Sequence, residues 1–217
     1  MRFYISGLLL ILALMLFCKN VFGSAFSDPE VPDGEQIIWR TTKQGGKSFL
    51  STVTWRIRTV DDEQLYEINV DSIEQGKAEY VLDKSDLQLI RADIQSKSEE
   101  GMSRIKIESK GNRQKLSHDL AGKLREKEIE YEQDSYSVHT LGFSLRGFPF
   151  NKQTEVKIKL IPPLKPDVPV WAWKMWDSYV KLLGEEKVTV PAGTFRILQV
   201  RKHGMAEPKI LDSNKGG

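Results

Sequence analysis

The chain has 217 residues, enough for one domain, and 40% of them are hydrophobic. That is an ordinary globular share, which excludes wholesale disorder and a polytopic membrane protein. Lys and Arg number 32 against 30 Asp and Glu, and Arg2 and Lys19 account for the whole surplus, so the chain after residue 23 is neutral. A neutral chain lacks the cationic surplus that displaces counterions from phosphates, which argues against a nucleic-acid partner.

The opening MRFYISGLLLILALMLFCKNVFGSAF has a basic start at Arg2 and then an apolar run from Ile5 to Cys18, closed by Lys19. Secretory apolar regions span about 7–15 residues and membrane-spanning helices about 20. Residues 1–23 therefore read as a signal peptide, with small residues for a cut after Gly23 or Ala25, and the mature protein is expected in the periplasm or secreted. The alternatives are an uncleaved anchor over residues 5–18 and a lipoprotein acylated at Cys18, although the large Phe17 stands before that cysteine. Cys18 is the only cysteine, so cleavage leaves no disulfide, thiolate metal site or cysteine nucleophile.

Residues 24–34 read as a leader, because Pro29, Pro32 and Gly34 interrupt any periodicity. A single β-rich domain is expected over 35–203. Strands are predicted at Gln36–Thr42, Ser48–Val60, Leu65–Val70, Ala78–Leu82, Leu87–Ile94, Met102–Ser109 and Arg113–Ser117. The second alternates most clearly, with Phe49, Ser51, Val53, Trp55, Ile57 and Thr59 on one parity and Arg56 and Arg58 on the other. Asp134-Ser135 before Val138, Leu141, Gly142 and Leu145 predicts one short helix over 135–146. Further strands are predicted at Glu155–Ile161, Val170–Leu183, Lys187–Val190 and Thr194–Arg201, followed by a frayed tail over 204–217. The expected fold is mainly β: a curved antiparallel sheet or open half-barrel with one short helix.

Candidate chemistry is sparse. Glu126, Glu128, Glu130 and Glu132 fall at a spacing of two, which on a strand lines one face with carboxylates. Calcium ligands must converge, so a solvated charged strand guarding a sheet edge is the favoured reading, and no metal site is assigned. His118, His139 and His203 have no metal-ligand spacing. Ser117-His118-Asp119 is sequential, whereas a catalytic triad is assembled in space. No catalytic residue and no cofactor is assigned. The aromatic stretch VPVWAWKMWDSYVKLL is apolar on both strand faces. Trp171, Trp173, Met175 and Tyr179 are candidate ligand-binding residues on one face, with Trp176 and Val180 inward on the other. Core packing is the competing reading.

Pro191 fixes φ and Gly193 permits φ > 0, so Val190-Pro191-Ala192-Gly193-Thr194 reads as a tight turn between two strands. The surrounding Gly184-Glu185-Glu186-Lys187-Val188-Thr189-Val190-Pro191-Ala192-Gly193-Thr194-Phe195 resembles the hairpin of the bacterial exported proteins grouped as domain of unknown function 3108. Leu141–Phe150, Pro32-Asp33-Gly34-Glu35 and Tyr80–Leu89 resemble other stretches of that family, so the likeness spans about residues 32–202. The resemblance implies a signal peptide, a mostly antiparallel β fold and an envelope setting. It implies no activity and no site residue. Members usually continue with further strands beyond the hairpin, so here either the sheet lacks its last hairpin or the chain is truncated. The expected function is non-enzymatic binding of an apolar, lipid-like ligand on a concave aromatic-lined sheet face. A scaffolding module that recruits envelope proteins through an open sheet edge is the alternative, and an envelope glycan hydrolase the second.

Overall fold

The structure is a computed structural model that describes residues 24–42, 48–73, 76–132, 134–149, 154–163, 173–190 and 193–203. It is mainly β, in two sheets. The first is an eight-stranded antiparallel meander in sequence order: β1 Gln36–Thr42, β2 Ser48–Val60, β3 Glu63–Ser72, β4 Gly76–Asp83, β5 Leu89–Ser98, β6 Gly101–Lys110, β7 Arg113–Leu120 and β8 Lys123–Glu130. It does not close into a barrel. The second has β9 Ser135–Ser137, β10 Glu155–Ile161, β11 Trp176–Val190 and β12 Gly193–His203 in the order β12-β11-β10-β9. All its pairs are antiparallel except β9 with β10.

Local chemistry accounts for the meander. In β2, Phe49, Ser51, Val53 and Trp55 are buried in strict alternation, because a pleated strand sends successive side chains to opposite faces. Val60 and Glu63 close the β2–β3 hairpin through Asp61 (φ 48°) and Asp62 (φ 67°). Two left-handed residues in a two-residue loop match the right-handed twist of the strands, and aspartate tolerates that region. The same turn joins β7 to β8 through Ala121 (φ 51°) and Gly122 (φ 83°).

The inner face of the large sheet meets β10, β11 and the connecting segments in one apolar cluster containing Val53, Trp55, Tyr66, Ile68, Tyr80, Ile107, Phe143, Ile158, Leu160 and Val180. Trp55 sits edge-on to Tyr66 and Phe143, with centroids 5.2 and 5.7 Å away. Arg146 lies 5.1 Å above the Trp55 ring and pairs with Glu35 at 2.5 Å. One end of the inner face is thereby plugged.

Three sequence expectations are corrected. The helix expected over 135–146 begins as a strand. Tyr136 pairs in parallel with Leu160, and Asp134 takes φ 62°, so regular helix starts only at α1 (Leu141–Ser144), continued by a 3-10 turn over Leu145–Gly147. The apolar spacing of Val138, Leu141 and Leu145 is nonetheless used, since all three pack on the core. Second, the strand expected over Val170–Leu183 starts at Trp176 and runs to Val190 through a register shift between Leu182 and Gly184. The break expected near residue 184 is this irregularity inside one long strand. Third, the segment expected as a leader is part of the fold. Ala25, Phe26 and Val31 are buried, and the Ser27 N–H donates to the Gly147 carbonyl at 2.9 Å.

Candidate functional site

Strand register places the inner-face side chains of the meander in rows. Val53 pairs with Val70, Val70 with Ala78, Ala78 with Ile94, and Ile94 with Ile105, giving an apolar row across β2 to β6. One row deeper, Trp55, Ile68, Tyr80, Ala92 and Ile107 are matched in the same way and are all buried. One row toward the β3–β4 and β5–β6 hairpins the residues become small and polar: Ser72 faces Gly76, and Ser96 faces Ser103. The Ser72 hydroxyl donates to the Leu50 carbonyl at 3.2 Å, beside Ser51.

In these two rows Val53, Ser51, Ser72 and Ser103 are buried while Val70, Ala78, Ile94 and Ser96 are half-buried, and a cleft of about 460 Å³ lies there. Phe49, Val70, Ala78, Tyr80 and Ile94 supply its apolar lining; Ser51, Ser72 and Ser96 supply hydroxyls, and Lys77 and Lys97 also border it. Gly76 permits close strand approach: a Cβ there would meet the Gln95 carbonyl oxygen at 2.1 Å. From the serine row to the Trp55–Tyr80 row is four residues of strand, about 13 Å. Burial of Tyr80 pushes its phenol up to about 12, so it stays neutral in the cleft at physiological pH. The site combines an apolar lining with serine hydroxyls, in the volume range of small-molecule pockets.

Of the residues expected to bind ligand, the described ones, Trp173, Met175 and Tyr179, do not line this cleft. Trp171 and Pro191 lie outside the described residues. Trp173 is 7% exposed, with Leu116, Ile129, Ile161 and the half-buried Met175 around it, and its indole N–H donates to the Pro163 carbonyl at 3.3 Å. Tyr179 alternates with the buried Ser178 and Val180 and so takes the other face of β11. Trp176 is only half-buried and packs at the side of the main cluster. Val180 is inward as expected and Trp176 packs on the core, but Trp173 is buried rather than outward, because residues 173–175 precede β11 and strand parity does not govern them. Gly193 opens β12 directly opposite Val190, so the predicted hairpin forms with two residues between the strands.

Ser117, His118 and Asp119 are divided between the faces of β7: His118 is buried, while Asp119 accepts the Gly122 N–H. The partner of His118 is instead Ser103, whose Oγ lies 2.9 Å from its Nε2. Sequence reasoning missed this pair, although Ser103 shares the apolar parity of Ile105 and Ile107. No Asp or Glu shares that parity on β6, β7 or β8, so none of these strands supplies an acidic orienting group of the kind a Ser-His-Asp triad uses. His139 stands near His118, with its Nε2 out of solvent and without a hydrogen-bond partner. Burial, reinforced by His118, holds its imidazole down at about 4, so it is neutral above that pH.

The glutamate ladder is ion-paired on the outer face. Glu126 meets Lys115 at 2.8 Å, Glu128 and Glu130 meet Arg113 at 3.3 Å, and Glu132 meets Lys159 at 2.8 Å. Among the described residues no three His, Cys, Asp or Glu side chains are grouped to hold a metal ion, and no helix is long and apolar enough to cross a membrane.

Comparison with protein-family models, curated proteins and solved structures finds no match in any of the three. The likeness to the domain of unknown function 3108 proteins therefore rests on the quoted residues alone.

Proposed function

We propose that this chain is an exported envelope protein that binds an apolar, lipid-like ligand in the cleft on the inner face of its large sheet, without catalysing a reaction. The observation that carries the reading is the contrast along that face. One end is plugged by Phe26, Trp55, Phe143 and the second sheet, while the Val70–Ala78–Ile94 row faces an open cleft of about 460 Å³. Apolar rows left beside water favour an apolar occupant by roughly 25 cal/mol for each Å² covered. The Ser51, Ser72 and Ser96 hydroxyls in the lining suit a ligand with a polar end. The apolar run at residues 5–18 and the small residues after it support export.

The test fills the cleft. Ala78→Phe points a ring into the apolar row. Protein purified from the envelope fraction is weighed by native mass spectrometry, and a fluorescent fatty acid is titrated onto it after delipidation. Saturable binding that Ala78→Phe abolishes while the fold is retained supports the reading; binding untouched by the substitution removes this site.

A second reading, a scaffold that recruits partners through a sheet edge, is favoured by one observation. Edge strand β1 and its neighbour β2 expose Ile38 (72%) and Leu50 (58%). An edge of this kind pairs readily with an added strand. Cross-linking in the envelope from a photoreactive residue at position 38 tests it, and absence of any adduct would contradict it.

A further inference from the structure

The sequence offers two cuts to a peptidase that reads small side chains one and three residues before the scissile bond. One follows Gly23, with Val21 third; the other follows Ala25, with Gly23 third. The fold separates them. The Ser24 hydroxyl lies 2.8 Å from the Tyr136 hydroxyl. The Ala25 N–H donates to Asp134 Oδ1 at 2.7 Å, and Ala25 is buried. Phe26 is 1% exposed, its ring edge-on to Tyr136 with centroids 4.6 Å apart. The chain is therefore tied into the fold from Ser24 onward.

We propose that processing cuts the Gly23–Ser24 bond, and that the α-ammonium so created at Ser24 is held in the mature fold by the carboxylates of Asp134 and Asp86. The inference rests on the export reading above. The step is a hydrolysis by a membrane-bound endopeptidase: water oxygen bonds to the Gly23 carbonyl carbon, the C–N bond breaks, and both water protons pass to the Ser24 nitrogen, leaving a Gly23 carboxylate and a Ser24 ammonium. The surroundings are prepared for a cation. The Asp86 carboxyl is pushed up by burial, and the neighbouring charges acting on it are those of Asp83 and Asp134, both negative. A positive charge one residue before the N–H that already reaches Asp134 offsets that repulsion. Cutting after Ala25 does the opposite. It removes the Ser24 partner of Tyr136 and the Ala25 donor to Asp134, uncovers Phe26, and places the new charge beside the core.

The experiment expresses the full chain with its own first 23 residues in a Gram-negative host and takes the intact mass of the exported protein. A mass beginning at Ser24 is expected. An exported protein beginning at Phe26 overturns the inference and leaves export standing, whereas an uncut chain retained in the cytosol overturns both. Docking of the ammonium is read separately, by urea unfolding of the Ser24-start chain with and without an acetyl group on that nitrogen. Acetylation is expected to raise the unfolding constant about fivefold, the effect of one modest ion pair. It should have little effect when Asp86 and Asp134 are both changed to Asn. Equal sensitivity in the two backgrounds, or none in the parent, overturns the docking.

Discussion

At the scale of single residues, Ala121 is an L-residue with a side chain held at φ 51° in the β7–β8 turn. The left-handed region costs such a residue about 1–2 kcal/mol, and glycine offsets part of that gain by its larger unfolded-state entropy. Ala121→Gly should therefore stabilise the protein by about 0.5–1 kcal/mol in urea unfolding, and a loss of stability would contradict the turn assignment. His139 sets a pH dependence. Its folded pKa of about 4 lies below the ordinary 6.5, so the unfolded chain binds more protons between those values. Stability is then complete above pH 6.5 and declines as pH falls toward 4, by about 1–3 kcal/mol. His139→Gln should flatten that limb; a parent curve flat across the window would contradict the burial of the ring. The tryptophans give a third test. Trp173→Ala should cost about 3–5 kcal/mol, since the ring is buried and its N–H bonded, and Trp176→Ala distinctly less. This ordering was illegible in the sequence. Alternation assigns faces only inside a strand, and β11 begins three residues after Trp173.

At the scale of elements, regular strands were legible and irregular connections were not. The bounds of β1 and β2 follow from alternation and from the flanking turn residues, as do the hairpins at Asp61-Asp62 and between Val190 and Gly193. The helix was misplaced because Val138, Leu141 and Leu145 meet the core whether or not the residues before Leu141 are helical; the parallel pairing of β9 with β10 decides, and it joins residues distant in sequence. Residues 24–31 carry no periodicity, so nothing local announces that Phe26 enters the core. Gly147 shows how tightly this segment is docked: a Cβ there would meet the Ser27 carbonyl oxygen at 1.9 Å and Leu87 Cδ1 at 2.5 Å. Gly147→Ala should cost about 1–3 kcal/mol, as overpacking does, and should raise proteolysis near residue 27. A variant as stable and as resistant as the parent would show that the segment does not pack on the 3-10 turn.

At the scale of the whole molecule, the mainly β class and the open sheet could be read from the chain, but the cleft could not. The rows that form it depend on cross-strand register, including the shift between Val81 and Leu82, and register is a property of pairs of strands. Hence the aromatic stretch is conspicuous in the sequence although Trp173 serves the core, while Ala78, Ile94 and Ser96, which carry no sequence signal, line the opening. The plugged end is stabilised by aromatic packing and by the Arg146–Glu35 pair; at the other end Val70, Ala78 and Ile94 are only half-buried beside serine hydroxyls. The central claim is that this opening holds a lipid-like molecule. It is tested most directly by native mass spectrometry of the envelope-purified protein beside Ala78→Phe, with both shown folded by circular dichroism. The account predicts an added mass of lipid on the parent, released by delipidation and absent from the variant. A parent of bare polypeptide mass that also fails to take up added fatty acid or phospholipid would contradict it.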